Sequence, residues 1–191
     1  MLILIPTLDA TNGHDTGERA ASLAGMDCDW KLQVDNEGKG FVKTVNAGLA
    51  GVTDHVCLLN DDCVPEADGW LATLYAKMRK RESLNVWFAG PSGSCRTPPQ
   101  NGGRVGDKRR PRIVDHLAGF CLLIHKDALK EMGGLDEQYI HYAAEVDYQW
   151  RARRDHGAYS LWVPEVYMEH EVHDPHHEWW VQDQQKLSEL W

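Results

Sequence analysis

Leu58-Leu59-Asn60-Asp61-Asp62-Cys63-Val64-Pro65 is the stretch from which the fold can be read. It closes an apolar run that starts at His55, too short for a helix and bounded by turn residues, and so predicts a buried strand with acidic residues at its carboxyl end. Runs of the same kind stand at 2–5, 30–35 and 85–89. Helical patterns fill the gaps at 16–24, with Thr16 as N-cap and Gly25 as stop, at 40–50, and at 67–81, where Trp70, Leu71, Leu74, Tyr75 and Met78 share a face. Strands alternating with helices predict an α/β fold whose mostly parallel sheet is covered on both faces.

At 191 residues the chain has the size of one domain burying about 70% of its unfolded surface. Twenty Lys+Arg against 29 Asp+Glu leave −9, which gives no sequence-wide drive toward nucleic acid or anionic lipid. The apolar run before Pro6 is too short for a leader or a membrane span and reads as a first strand. Cys28, Cys57, Cys63, Cys95 and Cys121 form no CxxC pair, which predicts reduced thiols and a cytoplasmic location.

Residues 91–111 are crowded with Pro and Gly and predict a long loop without regular structure, with Lys108, Arg109, Arg110 and Arg112 at its end. Such a loop is either solvated or a lid over phosphates. A strand at 118–125, a helix at 126–132, a helix at 144–156 stopped by Gly157, and a tail helix at 176–191 with Trp180, Leu187 and Trp191 near one face complete the chain.

Three clusters carry chemistry. Asp61 and Asp62 follow a strand, where open α/β sheets bind ligands, and their hard oxygens suit Mg²⁺ or Mn²⁺ bridging a diphosphate; an ordinary solvated turn uses the same residues. Glu145 and Asp147 open a helix, where the dipole stabilises carboxylates, and over a pocket such a group acts as a general base. The run His170-Glu171-Val172-His173-Asp174-Pro175-His176-His177 lacks the i, i+4 histidine spacing of zinc proteases. One of its histidines can instead complete a cation site with Asp62.

Together these segments resemble the family 2 glycosyltransferases of the GT-A fold over nearly the whole chain. Val34-Asp35-Asn36 resembles the family's base-reading strand end, and Gly40 through Asn46-Ala47-Gly48-Leu49 its Gly-x-x-x-x-x-Asn-x-Gly helix. Asn60-Asp61-Asp62 resembles its metal-binding acidic motif, while Gly119-Phe120-Cys121-Leu122-Leu123-Ile124 with Gly133-Gly134-Leu135-Asp136-Glu137 is similar to its acceptor-side strand and turn. The resemblance implies a single GT-A (Rossmann-like) domain with a mixed, mainly parallel central sheet flanked by helices. Residues 1–90 would bind the nucleotide sugar, 91–112 form a flexible loop, 113–175 form the acceptor and catalytic half, and 176–191 the C-terminal helix.

The same resemblance implies an inverting transferase that moves a sugar from a nucleoside-diphosphate sugar to an acceptor hydroxyl of a glycan, protein or small molecule. The nucleotide would lie near Thr7, Asp9, Asp35, Asn46 and Asp61. A divalent cation, Mn²⁺ or Mg²⁺, would sit on Asp62 and His170, with His173 as competing ligand. Glu145 would be the base, and Trp150, Asp147, Gly119 and His173 would lie toward the acceptor. A homo-oligomer is left open. Two departures stand out: Ala144-Glu145 replaces the family's Glu-Asp, making the base one methylene longer, and the chain between Asp35 and Gly40 is abbreviated. Two other classes share some of these features, a nucleotidyltransferase and a non-catalytic sugar- or nucleotide-binding module. The first would want a basic, Gly-rich phosphate loop after the first strand, which residues 7–14 lack.

Overall fold

The computed structural model describes residues 1–104, 106–171 and 176–191. In chain order these form β1 (Leu2–Thr7), α1 (Ala10–Ser22), β2 (Asp29–Val34), α2 (Phe41–Leu49), β3 (Val56–Leu59), β4 (Val64–Pro65), α3 (Trp70–Arg79) and β5 (Val86–Gly93). Then follow β6 (Arg112–Val114), β7 (Cys121–Ile124), α4 (Lys126–Met132), α5 (Ala144–His156), β8 (Tyr159–Glu169) and α6 (His177–Leu190). The strands make one sheet in the order β2-β1-β3-β7-β5-β8-β4, with β6 also paired to β8.

The sheet is mixed, and its parallel pairing is confined to β2-β1-β3 and β5-β8. Strand β7 runs antiparallel to β3 and β5, and β4 and β6 run antiparallel to β8. The mainly parallel sheet expected from the alternating pattern holds in that β1, β2, β3, β5 and β8 share one direction, while β4, β6 and β7 run against it. Side chains alternate along each strand. Ile3, Ile5, Cys57, Leu59, Cys121 and Leu123 meet Ala20 of α1 and Trp70, Leu71 and Leu74 of α3, while Leu4, Val56, Leu58, Leu122 and Ile124 meet Val42 and Val45 of α2 and Ala144 and Tyr148 of α5.

That topology gathers the polar residues at one edge. Leu59 pairs with Cys121 in the antiparallel β3–β7 register, so the chain leaving β3 (Asn60, Asp61, Asp62) meets the chain entering β7 (Gly119, Phe120). Strands β1, β5 and β8 point the same way as β3, which brings Thr7, Ser94 and His170 to that edge too.

The structure corrects three expectations. Helix α1 begins at Ala10, because Asp9 and not Thr16 is its N-cap, its carboxylate accepting from the N–H groups of Thr11 (2.9 Å) and Asn12 (3.3 Å). Gly13 hid the first half of this helix from a propensity reading, yet it and Gly17 are both needed: a Cβ on either would stand 2.4 Å from Leu32 or from the Trp30 ring. Residues 91–111 are not without regular structure, since β5 continues to Gly93 and Gln100–Gly102 form a 3₁₀ turn. Gln100 is fully buried, donating to the Pro91 carbonyl (2.9 Å) and accepting from the Ala118 N–H (2.7 Å), and Arg109 lies 4.7 Å over the Trp162 ring. Finally, of the three residues expected near one face of α6, Leu187 packs against the core and Trp191 donates to Asp147, whereas Trp180 is 43% exposed and the helix gains an anchor the sequence did not show, Asp183. The buried Asp183 carboxylate accepts from the backbone N–H groups of Ile140, His141 and Tyr142 at 2.8–3.2 Å, fixing the segment that leads into α5. Among the described residues no helix is long and apolar enough to cross a membrane.

Candidate active site

His170 leaves β8 with its Nδ1 3.0 Å from the Ser94 carbonyl. A carbonyl can only accept, so Nδ1 carries a proton, and in the neutral ring Nε2 presents a lone pair. That lone pair faces Asp62 Oδ1 at 3.5 Å and the Asn60 side-chain amide at 3.3 Å. The ring also stacks on Phe120, 5.1 Å between centroids. A fixed tautomer beside a half-buried carboxylate is the arrangement by which proteins prepare a histidine for a divalent cation. Cys63 lies close enough to join the group, but its thiol donates to the Phe120 carbonyl (3.2 Å), and burial pushes its pKa well above the usual thiol value. Held as a thiol, it would have to give up its proton to coordinate a cation.

Glu145 stands in the first turn of α5, at the other flank of the same dipeptide. A Cβ on Gly119 would lie 3.2 Å from Glu145 Cγ, so glycine there keeps the carboxylate free of a neighbouring side chain. Burial pushes the Glu145 carboxyl above the usual carboxylate range, against the opposing pull of backbone N–H groups of Glu145 and Gly119 and of nearby His116. Two buried glutamines set the approach: Gln149 of α5 accepts from Leu117 N–H (2.9 Å) and donates to Leu117 O (2.8 Å), while Gln100 takes the Ala118 N–H. Neither glutamine stood out in the sequence, since an isolated Gln carries no pattern.

Other expected site residues are drawn into the frame. Asp61 accepts from the Thr7 hydroxyl, and its carbonyl accepts from Asn12 Nδ2 (3.1 Å) and the Thr16 hydroxyl, so Thr7, Asp9 and Asp61 cluster where β1 and β3 end. The Asp35 carboxylate already receives the N–H groups of Lys39 (2.9 Å), Gly40 (2.8 Å) and Glu37 (3.3 Å), which hold it below the usual carboxylate range and close the short turn after β2. Asn46 exchanges bonds with Leu135 N–H (2.8 Å) and O (2.9 Å), locking α2 to the Gly133-Gly134-Leu135 turn. A Cβ on Gly134 would sit 2.3 Å from Asn46 Oδ1, so Gly134→Ala is expected to lower stability by about 1–3 kcal/mol in denaturant unfolding. Asp147 is 1% exposed and holds Arg151 Nε (2.7 Å) and Trp191 Nε1 (3.1 Å), which makes it a packing group and not an acceptor contact. Trp150 donates to Asp115 (2.9 Å) farther along α5. His173 lies outside the described residues.

No family model matches the chain. A 50-residue stretch, 26% of the chain, is 32% identical to the low-salt glycan biosynthesis hexosyltransferase Agl10 of Haloferax volcanii, of which it spans 16%. Among solved structures, the mannosyltransferase PcManGT from Pyrobaculum calidifontis, in complex with GDP-Man and Mn²⁺, superposes over 97% of the chain with a TM-score of 0.68 at 14% identity. The chain has the GT-A fold. GalNAc-T7, solved with UDP, GalNAc and Mn²⁺, gives a TM-score of 0.66 over 88% of the chain, again at 14% identity. The GT-A chain described here spans 61% of the first of these structures and 43% of the second, well short of either whole protein.

Proposed function

We propose that the protein is a metal-dependent inverting glycosyltransferase that takes a sugar from a nucleoside-diphosphate sugar to an acceptor hydroxyl. One observation carries this reading: the dipeptide Gly119-Phe120 touches the candidate base Glu145 on one side and the His170 ring on the other. A single strand entrance thus separates a candidate cation-binding pair from a proton acceptor, which is the layout a one-step displacement needs. The likeness to structures solved with nucleotide sugars, nucleotides and Mn²⁺ supports the same assignment.

Asp62 and His170 are the residues that would hold the cation, an oxygen and a neutral imidazole nitrogen suited to Mn²⁺ or Mg²⁺. Once bound, the cation would neutralise charge on the leaving diphosphate. Glu145, whose burial raises its proton affinity, would take the proton from the acceptor oxygen as that oxygen attacks the anomeric carbon from the face opposite the diphosphate. The bond from oxygen to the anomeric carbon forms as the bond to diphosphate breaks, with inversion and no covalent enzyme intermediate. Asp183 and Gln149 hold the two backbone segments that carry the base and face it.

A panel of UDP- and GDP-sugars with and without Mn²⁺, read by release of nucleoside diphosphate, tests the reading. Mn²⁺-dependent release from one donor is expected. Release of sugar 1-phosphate in place of nucleoside diphosphate would point to nucleotidyl transfer, and release of neither would leave a binding module.

A further inference from the structure

Strand β2 is one end of the sheet: β1 pairs with one side of it, and among the described residues no strand pairs with the other. The chain turns straight from β2 through Asp35 into α2, and β3 joins the far side of β1. Asp29 N–H donates to the Met1 carbonyl (3.1 Å) and Asp35 N–H to the Thr7 carbonyl (2.8 Å), so the odd-numbered residues bond inward. Trp30, Leu32 and Val34 therefore turn their N–H and C=O groups outward. The opposite end of the sheet is guarded by β4, two residues long and ending in Pro65, and by the three-residue β6 behind Arg110 and Pro111. Six-residue β2 has neither Pro nor Gly, pairs with β1 without a bulge, and leaves Trp30, Leu32 and Val34 only half-buried.

Such an edge is a template for another strand, and the charges along it single out one. When two copies of β2 meet antiparallel, outward residues must face outward residues, which restricts the ladder to registers centred on a single residue. Centred on Asp29 or Lys31, the ladder sets like charge on like charge, and centred on Leu32 it sets Asp29 against Asp35. Centred on Gln33 or Val34, it runs into Asp35, whose carboxylate is already held by three N–H groups of its own turn. Centred on Trp30, it places Asp29 of each copy opposite Lys31 of the other, twice, in the closer non-hydrogen-bonded pairs. Both residues are exposed. Asp29 has no ion pair among the described residues, and Lys31 gives one of its three ammonium N–H groups to the Gly48 carbonyl (3.2 Å). A lysine ordinarily blocks an edge from pairing, and this register is the one that supplies it with a free carboxylate.

We infer that β2 is a self-pairing edge: two copies of the chain join antiparallel about a twofold axis at Trp30, so that one sheet continues from molecule to molecule. Trp30 of each copy exchanges both backbone hydrogen bonds with Trp30 of the other, Leu32 meets Cys28, and Asp27 comes opposite Gln33 beside the Asp35 turn. A ladder this short buries little surface, so the pairing is reversible. It does not depend on the transferase reading.

Sedimentation equilibrium of the full chain over a wide concentration range tests this, together with amide hydrogen exchange at the two extremes. Dimers are expected at high concentration, where the Trp30 and Leu32 amides should gain protection while those of Lys31 and Gln33, already bonded to β1, change little. Asp29→Lys, at an exposed position, should weaken association about tenfold, because both cross-strand pairs turn from attraction to repulsion. Lys31→Asp should act likewise, and the double exchange of Asp29→Lys with Lys31→Asp should restore association, a thermal melt confirming that each variant is folded. A monomer at every concentration, a dimer whose Trp30 and Leu32 amides stay unprotected, parental association by Asp29→Lys, or a folded double variant no tighter than the single ones overturns the self-pairing edge.

Discussion

Glu145→Gln should lower sugar transfer by about 10² to 10⁴-fold while the donor and Mn²⁺ still bind with parental affinity. Glutamine keeps the shape and the contacts to Gly119 but takes no proton, so binding and turnover separate if Glu145 is the base. The pH profile gives an independent reading. Burial raises the carboxyl's proton affinity in the folded protein, so the acid limb of the parental rate should fall at a pH above the ordinary glutamate range, and the residual rate of the variant should lack it. Stability moves the opposite way. Ionising a carboxyl whose folded pKa is raised costs stability as pH climbs from the unfolded value through the folded one, so the variant should melt no lower than the parent at neutral pH and show a flatter dependence across that window. Asp147→Asn is the contrasting control: it breaks a nearly buried pair with Arg151 (2.7 Å), which should cost up to about 3 kcal/mol and leave the acid limb in place. Loss of turnover in Asp147→Asn with normal turnover in Glu145→Gln would move the base two residues along α5.

What the sequence disclosed depended on range. Strand β3 with its acidic exit, α4 and α5 were legible because their signals are local: an apolar run, a turn, a glycine stop such as Gly157, which adopts a left-handed conformation (φ 63°). Helix α1 was legible only in its second half, because Gly13 in the first half lowers propensity for the sake of a contact with Leu32 that only the folded sheet supplies. The antiparallel placement of β7 was equally hidden, since apolar alternation does not say which way a strand runs.

The same division runs through the site. Asp62 and Glu145 could be singled out as carboxylates at element ends, and His170 by its place in a histidine run. Asn46 was drawn toward the nucleotide by its motif, and that motif did not disclose that both ends of its amide serve the Leu135 turn. Asp183 gave no signal, because a carboxylate that accepts three backbone N–H groups from a segment some 40 residues away looks in sequence like any helix-surface acid.

Removing the cation pair should have the second large effect. Asp62→Ala and His170→Ala are each expected to reduce Mn²⁺-dependent donor affinity by about 100-fold or more, measured as the ratio of donor affinities with and without Mn²⁺, because even residues that only support a ligand commonly cost 10 to 100-fold. The two variants should differ in what else they change. His170 also stacks on Phe120 and holds the Ser94 carbonyl, so its loss should loosen the junction of β5 and β8 and lower the melting temperature without Mn²⁺. Asn60→Ala separates the competing roles, since its amide meets the same Nε2 (3.3 Å) without being able to bind Mn²⁺ as a charged ligand. If that nitrogen belongs to the cation, Asn60→Ala should leave the Mn²⁺ ratio within a few-fold of the parent. If the nitrogen serves only to anchor Asn60, Asn60→Ala and His170→Ala should lose stability alike while both keep the parental Mn²⁺ ratio, and the cation would then have to be assigned to other carboxylates at this edge.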